Sequence, residues 1–169
     1  MNTGQSLFSI GALLLLSLTV LRVNNNILLT DEVLYDSKFG IIANSIATSI
    51  IEKATTKFFD AKTATGPVAS PNDLTLILGP NIGETNPDNF NDFDDFNNYT
   101  DQDTFFTNLI YDYRCEVSYV NTNNLDIASL TPTWHKKLTV FVTWSQNGEK
   151  TGVAADTIKQ SVIYSYWYF

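Results

Sequence analysis

An uncharged apolar run constrains this chain more than any other feature. Residues 7–21 contain no charged side chain, and residues 13–16 are four consecutive leucines at the centre of the run. A helix through this run is apolar on every face, so its surface must be covered by lipid or by other helices. The run therefore predicts a membrane anchor or the packing core of an assembly.

The pattern changes from residue 33 onward. Apolar residues then recur at three- and four-residue steps, at Phe39, Ile42, Ala43, Ile46, Ile50, Ala54 and Phe58. This spacing is typical of an amphipathic helix that lies along a core. At about 1.5 Å per residue, one helix over residues 7–59 would extend roughly 80 Å, which exceeds the diameter of the domain that the rest of the chain can form. The helix is therefore predicted to protrude.

The two halves of this predicted helix meet in a polar stretch. Three asparagines at residues 24–26 are poor helix formers, and Thr30 resembles the N-cap of a new helix. A local break is therefore expected between them. The chain of 169 residues accordingly divides into an apolar N-terminal helix, 1–30, and a globular head, 31–169.

The C-terminal part of the head predicts an antiparallel sheet. Residues 109–120 alternate with a period of two, and residues 136–145 and 160–169 form two further candidate strands. The inner faces of the first two strands are Leu109, Tyr111, Tyr113, Cys115, Val117 and Tyr119, and Leu138, Val140, Val142 and Trp144. The predicted fold class is α+β, in which a long protruding N-terminal helix packs by its C-terminal half on the sheet. The head would comprise an amphipathic helix 31–60, an irregular acidic region 61–107 and the antiparallel sheet 108–169.

Charge and cysteine content exclude several classes of function. The net charge is −8, and residues 63–113 contain acids but no Lys or Arg, which disfavours nucleic acid as a partner. Cys115 is the only cysteine, so no intramolecular disulfide can form, and its place on an inner face predicts a buried thiol. The single His135 removes most metal sites and His-dependent catalytic schemes.

The acidic region contains the candidate cation ligands. Carboxylate oxygens suit Ca²⁺, although the Gly and terminal Glu of an EF-hand are missing. By residue type alone, Asp94 and Asp95 could form a catalytic general acid/base pair. Adjacent acids in a polar loop, however, more often cap helices or face water. We therefore predict no catalytic residue and no resident cofactor, with Ca²⁺ as the one candidate. Its ligands would be Asp92, Asp94, Asp95, Asp101 and Asp103.

The last candidate strand is aromatic on both faces. One face contains Tyr164, Tyr166 and Tyr168, and the other contains Ile163, Trp167 and Phe169. Because hydroxyl-bearing rings suit the wetter side of a sheet, we predict that the tyrosines contact a neighbouring subunit. The opposite face, with Trp167, is then predicted to pack in the core.

The order of these elements resembles the type IV pilin and pseudopilin superfamily, and in particular minor pilins of the mannose-sensitive haemagglutinin type. Gly4-Gln5-Ser6-Leu7 resembles a prepilin processing site, at which a peptidase would cut between Gly4 and Gln5. Residues 47–60 resemble the helix end of minor pilins. Residues 93–99 and 136–143 resemble their Phe-Asp-Asp stretch and their basic-then-alternating strand.

The N-terminus departs from the pattern of that family. Basic residues usually precede the glycine, whereas Met1, Asn2 and Thr3 stand there in this chain. The fifth residue after the glycine is usually Glu, whose carboxylate neutralises the N-terminal amine of a neighbouring subunit. In this chain that residue is Ser9. Such a change fits an atypical subunit, for example one at a filament tip.

The resemblance implies a structural subunit of a type IV pilus-like or pseudopilus filament. Its partners would be copies of itself or other pilin subunits, and it would lie in the bacterial inner membrane before assembly and in an extracellular filament or the periplasm afterwards. The assembly helix would use Leu7, Phe8, Ser9, Leu13, Leu14, Leu15, Leu16, Leu18 and Leu21. The alternative is a single-pass membrane-anchored extracytoplasmic domain for binding or adhesion that forms no filament.

Overall fold

The computed structural model describes residues 3–106, 109–146 and 157–167 and has an α+β fold, as predicted. Its two α-helices are α1, Thr3–Thr55, and α2, Ala61–Thr65, and short 3₁₀ helices cover Pro71–Asp73 and Phe93–Phe96. Its strands are β1, Thr100–Phe106; β2, Leu109–Asn121; β3, Asn124–Ala128; β4, His135–Gln146; and β5, Thr157–Ser165. The chain separates into two compact units, Met1–Gly40 and Ile41–Phe169, and α1 contributes to both.

The first unit contains the apolar part of α1. The helix continues without interruption through residues 24–26, so the break expected there does not occur. Thr30 does not act as an N-cap, because its hydroxyl donates to the carbonyl of Asn26 in the preceding turn at 2.8 Å. Thr19 donates in the same way to the carbonyl of Leu15 at 2.8 Å. These hydroxyl groups are satisfied inside the helix and leave its backbone intact.

In the second unit the remaining part of α1 packs on the sheet. Ala43, Ala47 and Ala54 are fully buried, and such small side chains allow the helix backbone to approach the strands closely. Gln160 of β5 donates to the side chain of Asn44 at 2.9 Å, which ties the helix to the sheet. The predicted packing of the amphipathic half on the sheet is therefore confirmed.

Phe58 is an exception to that predicted face. It is 56% exposed, because α1 ends at Thr55 and the backbone no longer follows the helical period at Phe58. The next residue, Phe59, is buried instead. The assignment of Phe58 to the buried face of the helix was therefore wrong.

The sheet is antiparallel throughout, with strand order β1-β2-β4-β5, and β3 pairs with β2. The longest pairing joins β2 to β4, from Leu109 opposite Gln146 to Tyr119 opposite Lys136. The predicted inner faces of both strands are confirmed, since Tyr111 and Val140, among others, are fully buried. β1 lies in the region that was predicted to be irregular, and β3 lies between the first two predicted strands.

The two faces of β5 are reversed relative to the prediction. The ring of Tyr164 lies 5.0 Å from that of Phe93, and the ring of Tyr166 stacks on Trp134 at 5.5 Å, so both tyrosines face inward. Trp167 is 72% exposed. The predicted orientation was therefore wrong for Tyr164, Tyr166 and Trp167, while Tyr168 and Phe169 lie outside the described residues.

The reason for the reversal is that both inward hydroxyls find backbone partners. The hydroxyl of Tyr164 donates to the carbonyl of Lys57 at 3.2 Å, and the hydroxyl of Tyr166 accepts from the backbone N–H of Val68 at 3.3 Å. A buried tyrosine whose hydroxyl is paired loses little by leaving water. Access of the tyrosine hydroxyls to water therefore does not determine the orientation of this strand.

Candidate functional site

The first unit exposes an apolar surface along the whole of residues 7–21. Phe8 is 82% exposed and Leu7 is 71% exposed. The four central leucines are each between 60% and 68% exposed. An apolar surface of this extent marks a site of contact with lipid or protein, because water is an unfavourable neighbour for it. The remaining large apolar members of this surface are Ile10, Leu18, Val20 and Leu21.

This helix is long and apolar enough to cross a membrane. A span of a hydrocarbon core about 30 Å thick needs roughly 17 to 25 residues. Arg22 is the only charged residue between Thr3 and Thr30, and its long side chain can reach the membrane surface from within a span. The structure thus supports membrane association through the N-terminal helix.

The residues of the predicted processing site lie in the first turns of α1, which begins at Thr3. Apart from the adjacent residues and the backbone of its own helical turns, no atom would lie within 4 Å of a Cβ added at Gly4. This position is therefore open. The hydroxyl of Ser9 donates to the carbonyl of Gln5 at 3.0 Å. Ser9 is therefore satisfied within its own helix and provides no charge for a neighbour, and cleavage after Gly4 stays a prediction.

The five candidate calcium ligands are not brought together. Asp92, Asp94 and Asp95 are no more than 1% exposed, whereas Asp101 and Asp103 are exposed on β1. The side chain of Asp101 accepts from the hydroxyl of Tyr99 at 2.7 Å. Among the residues that the structure describes, no group of three or more His, Cys, Asp or Glu side chains is arranged to hold a metal ion.

The three buried acids belong to a helix cap. Asp92 is the N-cap of the 3₁₀ helix Phe93–Phe96, and its Oδ1 accepts from the N–H of Asp94 at 2.9 Å. Asp95 Oδ2 accepts in return from the N–H of Asp92 at 3.0 Å, which completes a capping box. Asp92 and Asp95 therefore cap this short helix, whereas the carboxylate of Asp94 contacts Lys136.

A buried lysine lies against this cap. Lys136 is on the inner face of β4 and is fully buried. Its Nζ donates to the carbonyl of Phe59 at 2.8 Å, to Asp60 Oδ2 at 2.8 Å and to Asp94 Oδ1. The ammonium also lies over the rings of Phe59 and Tyr119, 4.7 Å and 5.2 Å from their centroids. All three of its N–H donors are thus engaged, as a buried ammonium requires.

Asp60 is the better hydrogen-bonded of the two carboxylates that face Lys136. Its oxygens accept from the N–H of Lys62 at 3.0 Å, from the hydroxyl of Thr75 at 2.9 Å and from the hydroxyl of Tyr119 at 3.2 Å. Burial alone would raise the pKa of Asp60, but the ammonium of Lys136 and these hydrogen bonds outweigh it and lower the pKa. Asp60 is therefore a stable carboxylate in the folded protein.

Asp92 and Asp95 have the opposite environment. Asp92 Oδ2 and Asp95 Oδ1 are buried and have no hydrogen-bond partner among the described residues. Burial and the charges of Asp94 and Asp95 raise the pKa of Asp92 to about 8. Burial also raises the pKa of Asp95. Asp92 therefore keeps a proton at neutral pH, while Asp60 does not.

Reasoning from the sequence missed this cluster of Lys136, Asp60, Asp92, Asp94 and Asp95, which we call the Lys136 cluster. The signal was present in part, because Lys136 has the same phase as Leu138 and Val140 and so belongs to the inner face of β4. A lysine in a buried phase needs a carboxylate partner. The chain offers acids in several loops, and only the fold selects which of them meet the lysine.

Comparison of the chain with protein-family models, with curated proteins and with solved structures finds no match in any of the three. The resemblance to pilins therefore depends on the motifs and on the architecture. The architecture is compatible with it, since a long apolar N-terminal helix whose later turns pack on an antiparallel sheet is what that superfamily requires. What can be said without the resemblance is that this is an α+β protein whose N-terminal helix is suited to a membrane.

Proposed function

We propose that this protein is a structural subunit of a type IV pilus-like or pseudopilus filament. The observation that carries the proposal is the exposed apolar surface of residues 7–21 on a helix that continues without interruption into the head. In a membrane this surface is covered by lipid, and in a filament it would be covered by the same surface of neighbouring subunits. The partners would be copies of this chain or other pilin subunits.

The N-terminal sequence supports an atypical position in such a filament. Ser9 stands where the family has the carboxylate that neutralises the N-terminal amine of a neighbouring subunit. Its hydroxyl already donates a hydrogen bond within the helix. A subunit at the tip has no earlier neighbour to neutralise. The proposed location is therefore the bacterial inner membrane before assembly and a filament or the periplasm afterwards, with no catalytic role.

A single-pass membrane protein that forms no filament is the second candidate, and the absence of a carboxylate at Ser9 favours it. The two candidates differ in where the chain is recovered. Cells that produce the protein are sheared, and the extracellular fibres are separated from membranes without detergent. A filament subunit is expected in the sheared fibres, whereas a membrane protein is expected only with membranes and detergent.

A pair of leucine substitutions makes this experiment specific to the helix. Leu14→Arg puts a charge in the middle of the apolar surface, at a cost of about 2.5 to 3.5 kcal/mol on insertion scales. Leu130→Arg is the matched control, because Leu130 is 96% exposed and lies outside the helix. We expect the first variant to lose membrane insertion and fibres and the second to keep both. Normal membrane and fibre yields for Leu14→Arg would contradict both candidate functions.

A further inference from the structure

The Lys136 cluster is not explained by a role of the N-terminal helix. It places an amine, a carboxyl group that the amine contacts and a second carboxyl group that holds a proton inside the core. Lys136 is fully buried, and Asp92 and Asp94 are each 1% exposed. The unpartnered Asp92 Oδ2 and Asp95 Oδ1 lie in the same capping segment. The core thus contains three more buried carboxyl groups than one lysine requires for an ion pair.

We propose that Lys136 and Asp94 form an intramolecular isopeptide bond between Nζ and Cγ, with Asp92 as the general acid and base. The amine already donates to Asp94 Oδ1, so the two reacting groups are in contact before any reaction. Groups held in this way react as if at effective concentrations of roughly 10⁵ to 10⁸ M. The modification would covalently join β4 to the 3₁₀ helix Phe93–Phe96.

The atoms of this step balance without another reactant. A proton passes from the ammonium of Lys136 to Asp94 along their hydrogen bond, which gives a neutral amine and a carboxylic acid. The nitrogen lone pair forms the C–N bond at Cγ, while Asp92 gives a proton to the carbonyl oxygen and receives one from the nitrogen. Asp92 then gives a proton to one hydroxyl, which leaves as water when the C–O bond breaks, and takes the proton of the other hydroxyl, which becomes the amide carbonyl. Nothing is oxidised or reduced, and Asp92 ends in its initial protonation state.

The environment selects Asp94 rather than Asp60 as the partner. Asp60 is held as an anion by donors from Lys62, Thr75 and Tyr119, and a carboxylate that is stabilised in this way is a poor electrophile. Asp94 instead lies beside Asp92, whose Oδ1 accepts from the backbone N–H of Asp94 at 2.9 Å. Asp60 would remain to accept the N–H of the new amide.

Burial also favours the product. Two charges in a low-dielectric core are costly, and their conversion to a neutral amide removes that cost. The released water leaves a site whose members are almost completely shielded from solvent, so the reverse hydrolysis lacks its reactant. A buried ion pair and a buried isopeptide bond thus use the same residues but differ in mass by one water molecule.

The test is the mass of the full-length chain purified in detergent and measured after denaturation. We expect a mass lower than that of the sequence by one water, after any N-terminal processing is accounted for. Trypsin should yield a branched peptide that joins residues 63–114 to residues 115–137, because an acylated Lys136 is no longer a cleavage site. A wild-type chain with the full mass would overturn the proposal, and so would a water loss located in a linear peptide.

Three variants assign the roles. Lys136→Arg keeps the charge but cannot form the bond, so it should have the full mass. Asp92→Asn should slow bond formation by roughly 10² to 10⁴ fold, as expected for loss of a general acid and base. Lys137→Arg is the matched control, since the adjacent Lys137 bonds to Asp126 on the other side of β4 at 3.1 Å, and it should retain the branched peptide. An unchanged branched peptide in Lys136→Arg would refute the assignment, and filament formation does not enter this readout.

Discussion

Replacing Tyr164 and Trp167 by alanine, one at a time, tests the orientation of β5. The ring of Tyr164 contacts those of Phe59 and Phe93, with centroids 5.9 Å and 5.0 Å away, and Phe93 is fully buried. The ring of Trp167 is mostly in solvent. Although Trp is the larger residue, the structure predicts that its removal matters less.

The size of each effect follows from burial. Truncation of a fully buried aromatic side chain costs about 3 to 5 kcal/mol, and because Tyr164 is half-buried we expect about 2 to 4 kcal/mol for Tyr164→Ala. Tyr164→Phe removes only the hydrogen bond to Lys57 and should cost about 1 kcal/mol. Trp167→Ala lies at the surface and should change the free energy of unfolding by no more than about 0.5 kcal/mol.

Urea unfolding of the full-length chain in detergent provides the measurement. Trp134 and Trp144 report by fluorescence in all variants, including the one that lacks Trp167. The order of unfolding midpoints should be Tyr164→Ala lowest, then Tyr164→Phe, then Trp167→Ala close to the wild type. If Trp167→Ala were the most costly, the reasoning from this orientation of the strand would be refuted.

The further predictions concern the pH dependence of stability, the isolated head and Cys115. Because the pKa of Asp92 is raised to about 8 in the folded protein, the unfolded state holds fewer protons and the urea midpoint should fall between about pH 4 and pH 8, with a shallower slope in Asp92→Asn. While Lys136 is an ammonium the pKa of Asp60 is lowered, so its stabilisation should be lost as the solution is acidified below the ordinary carboxyl range. A midpoint that rises between about pH 4 and pH 8 would contradict the sign for Asp92, and a midpoint that does not fall on acidification below that range would contradict the sign for Asp60. A fragment of residues 31–169 should be soluble with helix in its circular dichroism spectrum, since the buried face of α1 lies after Gly40, and an insoluble product would contradict this. Cys115 is 1% exposed and burial raises its thiol pKa to about 12, so labelling by a thiol reagent should be slow until urea unfolds the chain.

The parts of the fold that sequence analysis predicted are those with strong periodicity and a buried face. β2 and β4 alternate cleanly, and their inner faces are the predicted ones, because a strand with one buried side has only one acceptable phase. The packing of Ala43 and Ala47 follows in the same way from the helical period. In each case the pattern predicts the structure because burial of the apolar residues stabilises the fold.

The parts that were missed lack such a pattern. The first five residues of β1, 100–104, are polar and lie at an edge of the sheet. β3 alternates only briefly, at Leu125 and Ile127, and is exposed at every residue, so neither strand has a sustained apolar pattern in the sequence. The helix passes through residues 24–26 because low propensity alone is a weak cost within a long continuous helix. On β5 both faces are aromatic, and the choice between them depended on backbone partners that only the folded chain provides.

The same distinction applies to the candidate sites. The apolar surface of residues 7–21 was read directly, since composition alone makes it apolar on every side. The five candidate calcium ligands are close in sequence but not in space, because β1 places Asp101 in solvent while Asp92 is buried, and calcium binding stays a prediction. The Lys136 cluster joins distant segments, and no local pattern could have specified its members.

The position of Lys136 has a consequence for how the head folds. Its carboxylate partners are 76 and 42 residues away in the sequence, at Asp60 and Asp94. Contacts at such separations form late, because each closes a long loop of chain. Until Asp60 and Asp94 contact Lys136, burial of the inner face of β4 would place an unpaired positive charge in the core, which is costly. The strand is thereby kept from collapsing onto incorrect apolar neighbours, and the head should fold in one cooperative step whose rate is limited by the convergence of these segments.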